Sequence, residues 1–118
     1  MSAKTGVLLI QLGTPDSPSV PDVRKYLREF LSDPRVIDIN WLGRTLLVNL
    51  IIAPFRAPKS AKIYQQLWTE NGSPLLHYSE TLKNKLQKVI GEDFDIELAM
   101  RYQSPSMESV LERMRKKN

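Results

Sequence analysis

The sequence predicts an α/β fold built on a parallel sheet, and three observations carry that prediction. Val7-Leu8-Leu9-Ile10-Gln11-Leu12 is a short apolar run that stops in the turn Gly13-Thr14-Pro15. Phe94, Ile96, Leu98 and Met100 alternate with Asp95, Glu97 and Ala99, then run into Arg101-Tyr102-Gln103-Ser104-Pro105. Between these two strands, and again after the second, apolar residues recur at helical spacing. Strands alternating with helical patterns are the grammar of a parallel sheet. Ligands of open α/β sheets bind beyond the carboxyl ends of strands, so the turn after Leu12 is a candidate site wall.

The elements follow in order. The first strand is apolar on both faces and carries the β-branched Val7 and Ile10, which predicts burial on both sides. Gly13 permits a positive φ or a close backbone approach, and Pro15 prevents the strand from continuing. Ser19 reads as an N-cap, with Pro21 in the first turn and Asp22 three residues on, a variant of the capping box. Val23, Tyr26, Leu27, Phe30 and Leu31 then share a helical face until Asp33-Pro34 ends the helix. Trp41 to Phe55 is a helix-length stretch, apolar on most sides and broken by Arg44, Asn49 and Pro54.

Ser60 to Trp68 reads as a further helix with Ile63, Tyr64 and Leu67 clustered, followed by the loop Glu70-Asn71-Gly72-Ser73-Pro74. Leu82, Leu86, Val89 and Ile90 mark an amphipathic helix closed by Gly91. The strand from Phe94 has one more polar face. Met107, Val110, Leu111 and Met114 make the stripe of a last helix, with Arg113, Arg115, Lys116 and Lys117 as cations at its C-terminus.

Two strands are too few for an independent parallel sheet. The expectation is therefore a piece of a larger α/β domain, or a sheet completed by a second copy as a homo-oligomer or domain-swapped dimer.

The totals narrow the function classes. The chain has 118 residues, 17 basic and 13 acidic side chains and a net charge of +4. That balance is mild, and no aromatic–basic interleaving suggests nucleic acid. The absence of cysteine removes disulfides and thiolate metal sites, and a single histidine, His77, argues against an all-protein metal centre. Met1 to Thr5 leads into an apolar run without a signal-peptide cleavage pattern, and no stretch is long enough to span a bilayer. A cytoplasmic protein with no transmembrane segment is the expectation.

Five blocks carry a family resemblance: Leu12-Gly13-Thr14-Pro15, Tyr26-Leu27-Arg28-Glu29-Phe30-Leu31-Ser32-Asp33, Arg56-Ala57-Pro58-Lys59, Gly72-Ser73-Pro74-Leu75 and Arg101-Tyr102-Gln103-Ser104-Pro105-Ser106. Their order and spacing resemble the N-terminal portion of ferrochelatase, bacterial type, from Gly6 to the end of the chain. Members are about three times longer, so residues 1–118 are expected to be the N-terminal part of a ferrochelatase-like domain. The resemblance implies a three-layer, Rossmann-like parallel sheet with flanking helices, incomplete in this chain. It also implies insertion of Fe²⁺ into protoporphyrin IX, with iron as substrate and no cofactor.

Each site residue has an ordinary reading beside the one implied by the resemblance. Arg56 ends the apolar segment; it is a solvated helix-end arginine, or a partner of a porphyrin propionate, for which a guanidinium fork suits a carboxylate. Tyr64 is a half-buried tyrosine or a donor to the same propionate region. Ser73 is a turn or N-cap residue, or a third propionate contact. Leu12 is core or a wall against the porphyrin face. Arg101 is a strand-end ion-pair partner or faces the pocket. No catalytic or metal-ligating residue is expected in this chain, and His77 reads as a helix-start histidine.

The apolar segment 41–55 is core, an oligomer interface, or a lip at a membrane surface with Arg44, Arg56, Lys59 and Lys62 at the headgroups. A rival class is a non-catalytic tetrapyrrole-binding or membrane-surface interaction module. A third, an RNA-binding domain built on Arg113 to Lys117, would bind with steep salt dependence.

Overall fold

The computed structural model describes residues 4–117. Met1 to Ala3, part of the segment read as lacking a leader, and Asn118 lie outside the described residues. The elements run β1 (Thr5–Gly13), α1 (Val20–Leu31), α2 (Trp41–Leu46), a π-helical turn (Leu47–Ile52), α3 (Ala53–Leu67), α4 (Pro74–Ile90), β2 (Phe94–Tyr102) and α5 (Met107–Lys117). Contacts divide the chain into two compact units, Met1–Thr14 with Leu75–Asn118, and Pro15–Pro74. The fold is α/β, with a two-stranded parallel sheet and flanking helices.

In the first unit β1 and β2 pair in parallel, from Thr5 opposite Phe94 to Gly13 opposite Tyr102. One face of this sheet carries Gly6, Leu8 and Ile10 beside Glu97 and Ala99. Helix α5 covers it, with Val110 and Met114 packed on Ala99 and with Leu8 and Met107 at the margin. A side chain at Gly6 would meet the Met114 methyl at 2.8 Å. Gly13 has φ +131°, and a Cβ there would lie 2.3 Å from the Tyr102 carbonyl oxygen, so only glycine lets the strand ends approach.

The strands depart from their patterns in two ways. The more polar face of β2 is not left open: Ala99 and Glu97 are both buried beneath α5. The Glu97 carboxylate survives there because Arg113 bonds to it, with the Lys83 and Lys117 ammonium groups 4.0 and 3.9 Å away. Nor is β1 buried on both sides, since Ile10 and Leu12 are 56% and 51% exposed. Among the described residues β1 has a strand neighbour along one edge alone.

The other edge of β2 is occupied by local groups. Gln87 of α4 accepts from the Ile96 amide at 3.0 Å and donates to the Phe94 and Gly91 carbonyls at 2.7 and 3.0 Å. The Met100 amide donates to the Pro105 carbonyl at 2.7 Å. Helix α4 closes at Gly91, with φ +84° and its amide on the Gln87 carbonyl, as the C-cap reading expects.

In the second unit, Ser19 caps α1 by accepting from the Asp22 amide at 3.3 Å. The reciprocal half of a capping box is missing: Asp22 accepts from the Ser17 hydroxyl instead, and the Ser19 amide donates to that same hydroxyl. Helix α1 packs on α3 through Val23 against Ala57 and Ala61, flanked by Val20, Leu27 and Tyr64.

The stretch expected to be broken, and the separate helix expected at Ser60, are one unbroken helical rod from Trp41 to Leu67. Pro54 falls where the π turn gives way to α3. Pro58 lies inside α3 and costs one backbone bond without ending it. Alanines at 53, 57 and 61 are wholly buried and let the rod approach its neighbours closely.

Candidate functional site

Leu12 and Arg101 stand side by side at the carboxyl ends of their strands, between the paired positions Gln11–Met100 and Gly13–Tyr102. Both are exposed. The Arg101 guanidinium lies 4.9 Å from the centre of the Tyr102 ring, a cation–π contact that steadies its stem. The β2 turn also holds a feature that periodicity does not signal: Gln103 is buried with φ +66°, a left-handed conformation uncommon for glutamine. A buried polar residue in that region at a strand's carboxyl end marks a shaped turn.

The other three candidates lie in the second unit. Arg56 is exposed on α3, and its guanidinium has no hydrogen bond or ion pair among the described residues. It lines an open groove of about 460 Å³ with Ile51, Ile52, Phe55, Lys59, Ser60 and Ile63. Positions 52, 56, 59 and 63 follow one helical face, which is why one rod supplies the whole lining. The lining is four apolar side chains, two cations and a hydroxyl, with no acid. Such a surface suits a flat apolar body that carries negative charge at its rim.

Tyr64 lies eight residues beyond Arg56, about 12 Å along the axis and turned by about 80°. It faces the α1 contact, edge-on to Tyr26 at 6.4 Å and to Trp68 at 6.5 Å. Burial pushes its hydroxyl pKa above the ordinary tyrosine value. Ser73 is buried directly after a tight turn in which Thr69 and Gly72 exchange backbone hydrogen bonds of 3.1 and 2.9 Å. The structure therefore groups Leu12 with Arg101 in one unit, and Arg56, Tyr64 and Ser73 in the other.

His77 occupies the first turn of α4, half-buried with its ring 5.5 Å from that of Tyr78. Among the described residues no three His, Cys, Asp or Glu side chains gather as a metal site. The basic end of α5 is largely engaged within the fold: Arg113 and Lys117 turn to Glu97, and Arg115 pairs with Glu112. That pairing holds Glu112 below the usual carboxylate range and raises Arg115.

The segment 41–55 exposes a run of large apolar side chains. Trp41 and Phe55 are 70% and 73% exposed, with Leu42, Leu46, Leu50 and Ile51 also open. Among the described residues no helix is long and apolar enough to cross a membrane.

Comparison with known proteins covers nearly the whole chain. The ferrochelatase family matches residues 4–118. A ferrochelatase of Coxiella burnetii is 56% identical over 111 residues, covering 94% of this chain and 31% of the relative. One from Marinomonas sp. is 52% identical over 114 residues, 93% of this chain and 34% of its own length. A third, from Legionella pneumophila, is 50% identical over 108 residues, 92% and 33% respectively. The chain spans about a third of the length of these curated relatives. With the family matched over residues 4–118 and relatives 50–56% identical over more than nine-tenths of the chain, the chain belongs to the ferrochelatase family.

Proposed function

We propose that the polypeptide carrying these residues inserts Fe²⁺ into protoporphyrin IX to give protohaem, with porphyrin and iron as substrates and no cofactor. In this reading the chain grips the porphyrin by its propionates and lines one ring face. The observation that supports it is the unpaired Arg56 in an apolar groove that also holds Lys59 and no acid. A porphyrin combines a planar apolar ring with two carboxylates at one edge, and a guanidinium matches a carboxylate with two parallel hydrogen bonds. In this reading Tyr64 and Ser73 are further propionate contacts, and Leu12 and Arg101 face the porphyrin ring.

Metal insertion requires the two pyrrole protons to leave as the nitrogens take up iron. In this reading the base that accepts those protons belongs to the remainder of the polypeptide. The part of the five residues is binding and orientation. Energy gained at the propionates is available to bend the ring and expose the nitrogen lone pairs. The exposed Trp41–Phe55 surface, with Arg44, Arg56, Lys59 and Lys62 nearby, suits shallow contact with the cytoplasmic face of a membrane, from which a poorly soluble porphyrin could enter.

A metal-insertion assay tests this directly. The full-length protein should convert protoporphyrin and Fe²⁺ to protohaem, and residues 1–118 alone should show no turnover. Failure of the full-length protein would refute the activity. Robust turnover by the segment alone would refute the assignment of the base elsewhere.

A further inference from the structure

We propose that the π-helical turn Leu47–Ile52 is a one-residue surplus that sets the rotational register of the rod and holds Leu42, Leu46 and Leu50 outside the helix–helix contact. In an unbroken α-helix, residues spaced by three and four share a face. Leu42, Leu46, Leu50, Ala53, Ala57 and Ala61 are spaced 4, 4, 3, 4 and 4, and would form one continuous apolar stripe. The structure splits that stripe. The three alanines are wholly buried, while Leu42, Leu46 and Leu50 are 59%, 48% and 64% exposed. Ahead of the alanines Val48 is wholly buried instead, and Thr45 and Asn49, one residue before Leu46 and Leu50, are half-buried.

The backbone shows how the split is made. The Ala53 amide donates to the Val48 carbonyl, five residues back rather than four. One extra residue in a helix turns everything before it by about 100° relative to a regular α-helix. Asn49 donates to the Thr45 carbonyl at 2.9 Å, near the joint where the ladder changes step. Pro54 has no amide to return to Leu50, and its ring disfavours the α register at that carbonyl. Pro58 is accommodated in α-helix without such a turn, so proline alone does not demand it. The gain is presentation: leucines that would fill a core are delivered with Trp41 to the outer surface. This geometry stands independently of the porphyrin reading, and only its use at a membrane rests on that reading.

Thiol labelling tests the register, and this segment contributes no cysteine of its own. In cysteine-free full-length protein, the Leu46→Cys variant should react roughly tenfold faster than the Thr45→Cys variant. Deleting Leu47 should remove the surplus residue, restore a regular α-helix and leave that order unchanged. Equal rates, or a faster Thr45→Cys variant, in the otherwise intact protein would overturn the proposal. So would a deletion that folds and reverses the order, as it would in a rod that was already regular. If the deletion fails to fold, the comparison without it decides. Adding phosphatidylglycerol vesicles separates the two readings. Slower labelling of the Leu46→Cys variant supports membrane use of the stripe, and unchanged labelling removes that use while the register stands.

Discussion

Replacing Gly13 by alanine is the sharpest test of the strand pairing that sets Leu12 beside Arg101. A Cβ at this position would sit 2.3 Å from the Tyr102 carbonyl oxygen, a backbone atom that cannot swing aside, and φ is +131°. Backbone conformations reserved for glycine cost about 1–3 kcal/mol, and overpacking adds about 1–3 kcal/mol more. The expected destabilisation is about 4 kcal/mol. Gly72 and Gly91 are built-in controls. Both have positive φ, +87° and +84°, yet a Cβ at either meets nothing within 4 Å. Alanine there should cost only the conformational part, about 1 kcal/mol. Urea unfolding of the full-length protein reads the difference. With a slope of about 3 kcal/mol per molar, the Gly13→Ala midpoint falls by roughly 1 M and those of the controls by roughly 0.3 M. Equal shifts at all three positions would refute the close approach of β1 to β2.

Two further outcomes follow from the ion pairs and from Tyr64. Arg113→Ala should destabilise by about 1–2 kcal/mol, because it removes the main partner of the buried Glu97, although Lys83 and Lys117 remain close. Arg115→Ala breaks only a solvated pair and should leave the unfolding midpoint unmoved. Tyr64 should ionise above the ordinary tyrosine range, because burial disfavours its phenolate. A raised folded pKa means that its contribution to stability is intact below the unfolded value, near 10, and is lost as pH rises through the folded value. Tyr64→Phe should therefore remove the late component of the ultraviolet titration and flatten the alkaline loss of stability. An unchanged titration curve would place Tyr64 outside the α1 contact.

Much of this was legible from the chain because local rules and packing agreed. Gly13, Ser19 and Gly91 announce strand end, N-cap and C-cap through their own chemistry, and each lies where that chemistry predicts. The sequence misled where an element's surroundings override its pattern. Glu97 marks a face as polar by residue type, but three cations from α4 and α5 make it a buried position. The run at Val7 to Leu12 is apolar enough for a central strand, yet among the described residues no strand pairs with its outer edge. Pro54 looks like a helix stop because proline removes a backbone bond, and the wider π turn absorbs that loss. Gln103 could be placed in a turn, but its left-handed φ could not be read, because hydrophobic pattern does not report it. Arg56 could be named from the sequence, but its lack of a partner and its apolar surroundings are properties of three dimensions.

The central claim is that Arg56 recognises a carboxylate of the porphyrin, and one thermodynamic cycle addresses it without relying on turnover. Protoporphyrin and its dimethyl ester share the apolar ring, and only the free acid carries the charges. Binding of each to the full-length protein and to its Arg56→Leu variant gives the coupling energy. A charge-assisted hydrogen bond is worth about 2 kcal/mol, so the substitution should weaken the diacid by roughly 30-fold. It should leave the ester within about threefold, since the groove's apolar lining is unchanged. Equal losses for acid and ester, or none for the acid, would contradict the account.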